Sequence, residues 1–483
     1  MIKFGYNKGN YIHYQQKSKG ENGKEMEEKK YLKWYQKVAY GTGDIAGNCG
    51  YCLMSSFIML YLSTAVGLNT AVIGVLMMGS KIFDGFTDII FGNLMDRTKS
   101  KMGKARPWML YGQIGVSITL FLCFCIPDMG TTMQYVYFFV FYTAYNAIFY
   151  TANSISYAAL AAKITKNSQE RVQLGSIRFI FATLTTLVIS YTAMGLVERF
   201  GGGAKGWRMV ALIFAVIALV VNTFSILMVK EIPDEEVESE NADVKTETKV
   251  GLVESFKLLF KNKYFFIILA VYLVNYIYSG ITQGVGVYFM TYYMGDASLL
   301  GTFSLASLVP VMIILSLTPT LVKKCGSMWK INLISRVISL IMGVGFIFAA
   351  LNKNLILMLV FAFFRNMAGG PLTGTLNAFV AETSDYMWRT QKKRIDGVIF
   401  SCSSVGVKVG GGLGSALLGI LLEAGGFVGT AAVQTEGAVN MIFTLYAVSP
   451  VIFGIILMVL VWMLKVEKAN REWDAAHAEG ETA

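Results

Sequence analysis

Residues Met209–Val229 read MVALIFAVIALVVNTFSILMV, twenty-one residues without a single charge. As a helix rising about 1.5 Å per residue, this segment is about 30 Å long, which matches the hydrocarbon core of a bilayer. The pattern extends through the chain. Of 483 residues, 54% are hydrophobic and only 15% are charged, against about 25% charged in a soluble protein. Seven prolines, scattered glycine and the absence of a long polar domain exclude a fibrous or disordered class. The composition therefore specifies an all-α polytopic membrane protein whose first partner is the lipid bilayer.

Apolar helical segments fall at about 38–66, 70–94, 107–127, 132–162, 177–199, 207–229, 263–293, 298–322, 330–350, 354–382, 397–423 and 438–464, twelve in all. Lys and Arg in the connecting loops set the orientation. The loop after the second segment carries Arg97, Lys99, Lys101, Lys104 and Arg106, and the one after the fourth carries Lys163, Lys166 and Arg171. Further basic clusters follow the sixth segment, the eighth (Lys323, Lys324, Lys330) and the tenth (Arg389, Lys392, Lys393, Arg394). The alternate loops hold Lys205 and Lys353, with Arg199 and Arg208 at helix ends. This asymmetry places both termini in the cytoplasm and the +11 net charge on the cytoplasmic face, so the charge reads as topology and not as nucleic-acid binding.

The expected organisation is a cytoplasmic tail (1–37), a first six-helix bundle (38–229), a cytoplasmic linker (230–262), a second six-helix bundle (263–465) and a cytoplasmic tail (466–483). The first tail has nine Lys against four Glu and no apolar stretch, unlike a signal peptide. The linker is acidic and polar until Val250–Phe260, where Leu252, Phe256, Leu259 and Phe260 predict an interfacial helix. Six helices, a linker and six more is the layout of two structural repeats. Gly92–Arg97 and Pro319–Gly326 are a weak echo of one another at corresponding helix ends.

Ionisable groups inside a membrane are costly and point to function. The second segment holds three, Lys81, Asp84 and Asp88, in GSKIFDGFTDIIFG. Their spacings of three and four place them on one helical face, with Thr87 beside them. Two carboxylates one turn apart repel unless a cation or proton lies between them, which makes a hard-cation site of oxygen ligands one reading. A Lys81–Asp84 structural ion pair, with Asp88 at an interfacial helix end, is the other. The first segment offers Asp44 and Asn48 on a Gly-rich surface, and the fourth offers Asn146, Tyr150, Thr151, Asn153, Ser154 and Tyr157. With Arg178 and Lys408, these side chains predict a wet central cavity, although any one of them alone reads as helix–helix glue. The charges expected inside are Asp44, Lys81, Asp84, Asp88, Arg178 and Lys408.

Other chemistries lack their parts. The two histidines, His13 and His477, lie in polar tails, which excludes a His-based hydrolase or proton relay. Gly410, Gly411, Gly412 and Gly414 follow no strand and lack a Lys-Ser/Thr ending, so they read as close helix packing and not a phosphate loop. Cys49 and Cys52 have no second pair to complete a zinc site. No enzyme, metal centre or cofactor beyond a coupling cation is expected.

Four motifs together resemble the glycoside–pentoside–hexuronide:cation symporters, the melibiose-permease-like branch of the major facilitator superfamily. They are YGTGDIAGN (Tyr40–Asn48), KIFDGFTD (Lys81–Asp88), DRTKSKMGKARPW (Asp96–Trp108) and AETSDYMWRTQKKRIDG (Ala381–Gly397). The resemblance covers roughly Lys37 to Lys465. It implies the major facilitator fold of twelve transmembrane helices in two six-helix bundles, alternating access around a midplane sugar site, and function as a monomer. It further implies that Asp84 and Asp88 bind the coupling Na+, Li+ or H+ with the Thr151 hydroxyl assisting; the paired carboxylates with hydroxyls nearby, Thr87 among them, favour Na+. Asn48, Tyr150, Ser154, Arg178 and Lys408 would contact the sugar. Asp96, Arg97, Asp385 and Arg394 would join cytoplasmic ion pairs that latch the outward-facing state.

The chain also departs from the melibiose-permease pattern. That pattern has carboxylates at the positions of Asn48 and Ser154 and tryptophans at those of Ala158 and Thr373. Without the acids, Arg178 and Lys408 are expected to stand unopposed and make the cavity more positive. The substrate would then be a hexuronide or a neutral xyloside- or glucoside-like sugar imported across the plasma membrane. A lipid or amphiphile transporter of the same fold, and a membrane-embedded enzyme, are the rival readings.

Overall fold

A computed structural model describes residues 30–232, 259–260, 262–391, 396–431 and 433–478. Every regular element among them is helical. The long helices are α1 (Trp34–Val66), α2 (Thr70–Arg97), α3 (Arg106–Cys123), α4 (131–164), α5 (Ser168–Arg199) and α6 (Gly203–Met228), then α7 (Lys263–Tyr293), α8 (Leu299–Cys325), α9 (Met328–Leu351), α10 (Leu355–Gln391), α11 (Asp396–Ala424) and α12 (436–463). A thirteenth, α13, spans Val466–Ala478. Among the described residues, nine helices are long and apolar enough to cross a membrane by length and composition. α2 carries its own intramembrane charges, α3 is short, and α4 is interrupted by a polar π-helical turn at Ala144–Tyr150.

Capping explains where several helices start. Asn69 accepts from the backbone of Ala71 and Val72 to begin α2, and Asn167 accepts from Glu170 to begin α5. α5 thus starts nine residues before its apolar stretch, because a polar first turn is invisible to hydropathy. π-helical turns also lie in α1 (Leu53–Phe57 and Leu62–Val66), α7 (Phe289–Tyr293) and α12 (Thr444–Val448). Such bulges often occur at functional sites.

The first and second halves meet where α2 runs along α11, α1 along α7 and α5 along α8. Small residues let the backbones touch at the end away from the termini. A Cβ on Gly419 would sit 2.1 Å from the Thr70 carbonyl, and one on Gly74 would sit 2.7 Å from that of Ser415. Thr70 donates its hydroxyl to the Gly419 carbonyl at 3.1 Å. Gly410 and Gly414 press on α7, where added Cβ atoms would lie 2.9 Å and 2.4 Å from the carbonyls of Leu273 and Ile277. The glycine run thus packs helices, as its sequence implied. At the end bearing the termini, α5 and α8 diverge around a groove of about 520 Å³ lined by residues such as Val172, Phe179, Met312 and Leu315.

The chain's outer pieces dock on this frame. Glu231 accepts from the backbone amides of Lys104, Ala105 and Arg106 at 2.9–3.0 Å, capping the N-terminus of α3. The last stretch, expected as a tail, forms α13, which is held to α10 by Arg389–Asp474 at 2.8 Å and Asn470–Glu382 at 2.7 Å. Tail 1–29, most of the linker with its expected interfacial helix, and Arg394 lie outside the described residues, as does the side chain of Asp96.

Candidate functional site

Midway along the molecule, α1, α2 and α4 of the first half face α7 and α11 of the second across a cavity of about 150 Å³. By the space one water needs, this volume holds on the order of ten waters. Its wall is aromatic and polar: Tyr51, Tyr145, Tyr150, Tyr276, Asn146, Ser279, Gln283 and Asp84 contribute. Tyr51 donates to the Gln283 side chain at 3.0 Å, closing one contact across the two halves. The α7 contributors were missed in the sequence. Their signal was there, because Tyr276, Ser279, Gly280 and Gln283 recur at helical spacing on one face.

Beside the cavity, Lys408 of α11 reaches α2. Its ammonium lies 2.6 Å from the carboxylate of Asp88 and 3.0 Å from that of Asp84, and it donates to the Asp84 carbonyl at 2.8 Å. Thr151 of α4 donates its hydroxyl to Asp84. Side-chain exposures of 13% for Asp84, 17% for Lys408 and 30% for Asp88 put the trio in a partly dry site that stays reachable by water. The arrangement places a cation between two carboxylates, with a hydroxyl oxygen adjoining. Lys408 Nζ itself supplies the cation between the two carboxylates. Thr87 instead turns its hydroxyl onto the Asp84 carbonyl at 3.1 Å.

A second cluster ties α1, α4 and α5 together. Arg178 binds Asp44 through both carboxylate oxygens, at 2.7 and 3.4 Å, and its guanidinium stacks 4.1 Å above the Tyr157 ring. Tyr40 and Tyr157 each donate to the other's backbone carbonyl at 2.8 Å. Such a fork-to-carboxylate pair fixes geometry more firmly than a single bond.

This geometry corrects one expectation. Arg178 and Lys408 are not unopposed, because Asp44 neutralises the first and Asp84 and Asp88 the second. Both cations are therefore paired even without acids at Asn48 and Ser154. The alternative Lys81–Asp84 pair does not form either, since Lys408 takes both carboxylates. Lys81 lines the cavity without an ion-pair partner among the described residues.

Of the five expected sugar contacts, only Tyr150 is in the cavity wall. Asn48 donates its amide to the Asp44 carbonyl at 2.8 Å, and Ser154 donates its hydroxyl to that of Thr151 at 3.3 Å. Arg178 and Lys408 are taken up by their ion pairs with Asp44 and with Asp84 and Asp88. At the end bearing the termini Arg97 is exposed, while Asp385 faces Arg389 on its own helix at 3.8 Å.

The profile of the family described as MFS/sugar transport protein matches residues 39–468. A protein named isoprimeverose transporter, from Lactiplantibacillus pentosus, is 31% identical over 448 residues, covering 91% of this chain and 90% of that protein. The inner membrane symporter YicJ of Escherichia coli strain K12 is 26% identical over 425 residues, covering 86% and 88%. Among solved structures, a bacterial homologue of the human lysosomal transporter Spinster superposes with a TM-score of 0.67. It is 14% identical and covers 90% of this chain and 98% of that one, a likeness of fold alone.

Proposed function

The chain belongs to the MFS/sugar transport protein family, and from that premise we propose that it is a secondary active symporter. It imports a small neutral glycoside or pentoside together with Na+ by alternating access. The observation that carries the reading is Lys408 bridging Asp84 and Asp88 from the opposite half of the molecule. In the empty carrier, the ammonium plays the part of the coupling cation. An arriving Na+, or Li+ or H+, takes the carboxylates and frees Lys408, and with it α11 from α2. Coupling is then a linkage: cation raises sugar affinity, and sugar raises cation affinity by the same factor. A membrane potential of 100 mV supplies about 2.3 kcal/mol per charge, which supports roughly fifty-fold accumulation.

Charge balance supports a neutral substrate. Lys408 is held by Asp84 and Asp88, and Arg178 by Asp44, so neither of these cations requires a negative charge from the sugar. The tyrosines, amides and hydroxyls of the wall suit sugar faces and hydroxyls. In this reading the helices form twelve spans in two six-helix bundles, working as a monomer in the plasma membrane with cytoplasmic termini. The glycine-sealed end is then extracellular, and the end bearing the termini, where Arg97 is exposed and Asp385 faces Arg389, is cytoplasmic.

The apolar groove between α5 and α8 supports one second reading, an amphiphile carrier. Counterflow in vesicles separates the two. Exchange of neutral glucosides or xylosides that is stronger in Na+ than in Na+-free buffer is expected. Failure of every sugar to exchange, or equal exchange of neutral and uronic sugars, contradicts the proposal.

A further inference from the structure

Two arginines lie within the second half, away from the central cavity. Arg336 of α9 and Arg365 of α10 are 7% and 8% exposed. Among the described residues, Arg336 Nε and Arg365 Nε and Nη1 have no hydrogen-bond acceptor. Both side chains line a separate cavity of about 130 Å³, together with Asn275, Tyr278, Ser339 and Asn366. Asn275 and Tyr278 face this cavity, whereas Tyr276 and Ser279 on the same helix face the central one. α7 is thus the partition between them.

A guanidinium stays charged at any pH a protein meets, and a buried charge without a partner is strongly disfavoured. The surrounding sequence offers no counter-charge. α7, α8 and α9 contain no Asp or Glu at all. α10 has its first acid at Glu382, about 25 Å along the helix from Arg365, and α12 has only Glu436, about 21 Å from Pro450 at the cavity wall. Arg365 lies 4.7 Å over the Phe346 ring. That contact compensates one cation only in part, and it leaves three guanidinium nitrogens without acceptors. No described residue supplies the missing charge, and an anion bound in the cavity would.

We infer that Arg336 and Arg365 form a binding site for a small oxyanion of the phosphate or carboxylate type, in the second half and behind α7 from the central cavity. The forked donors of two guanidiniums suit planar or tetrahedral oxyanions, while Asn275 adds a neutral amide to the wall. Held there, the anion cross-links α9 to α10.

The test is equilibrium binding of radiolabelled phosphate to the purified full-length protein in detergent, with unlabelled phosphate, sulfate and glucuronate as competitors. Saturable binding is expected, lowered at least tenfold by Arg336→Gln and by Arg365→Gln. Displacement by glucuronate as well as sulfate identifies a site open to carboxylates; displacement by sulfate alone identifies an inorganic oxyanion site, and either upholds the assignment. If the variants do not fold, wild-type protein should still melt several degrees higher in phosphate than in chloride at equal ionic strength. No saturable binding together with no thermal protection, or unchanged binding in folded Gln variants, overturns it. The readout is binding and not transport, so the outcome is independent of the transport proposal.

Discussion

Lys408 Nζ lies 2.6 Å from the carboxylate of Asp88, an ion pair that joins α11 of the second half to α2 of the first beside the central cavity. In the proposed cycle, this side chain competes with the coupling cation for the same carboxylates.

Lys408→Met should leave both carboxylates free for the external cation. A charge-assisted contact is worth about 1.5–3 kcal/mol, so the Na+ concentration that half-activates sugar binding should fall roughly ten- to a hundredfold. Net uptake should slow, because the empty carrier then holds two unpaired acids in its interior. Sodium titration of sugar binding to purified protein checks the first effect, and an unchanged midpoint argues against displacement.

Thr151→Ala removes the hydroxyl that Asp84 accepts from. Losing one such bond should weaken sodium activation by about tenfold, while Thr151→Ser should retain most of it. A comparable loss in both variants would point to packing and not to the hydroxyl.

Gly419→Ala pushes a methyl against the Thr70 carbonyl, where only 2.1 Å is available. Overpacking of this kind costs about 1–3 kcal/mol, and here the strain falls on one conformation alone. The sealed end should open more often. Ser415→Cys, in the cavity wall below the seam, should then react several-fold faster with an impermeant thiol reagent added outside. Equal labelling with and without Gly419→Ala would show that the seam does not gate access.

Glu231→Gln should destabilise the protein by about 1–3 kcal/mol, because one carboxylate serves three amides at the start of α3. Gly103→Ala should act in the same direction. Its φ of +102° is left-handed, and a Cβ there would lie 2.4 Å from the Glu231 carboxylate carbon. Thermal melts of both variants in detergent report this, and wild-type melting in both would remove the role assigned to the cap.

Much of this arrangement was legible in the sequence, and the failures have physical causes. Long apolar runs mark helices because lipid forces backbone bonds inward, so α6 and α9 are plain from hydropathy. The first turns of α5 and the last of α10 are not, since they leave the apolar zone while staying helical. Asp84 and Asp88 stood out because their spacing needs no knowledge of other helices. Their real partner, Lys408, is 324 residues from Asp84, and no local pattern connects them; the near neighbour Lys81 was the misleading candidate. Arg336 and Arg365 were passed over because each stands in an apolar stretch with no charged residue within one turn of it. The clue was the lack of any acid across α7, α8 and α9.

The central claim is that Asp88 shares the coupling cation with Asp84. It is tested most directly by measuring sodium-driven uptake and sugar counterflow side by side in vesicles, for wild type and Asp88→Cys. The account predicts that the variant loses concentrative uptake while still exchanging sugar across the membrane. Sodium-driven accumulation that survives the substitution would contradict it.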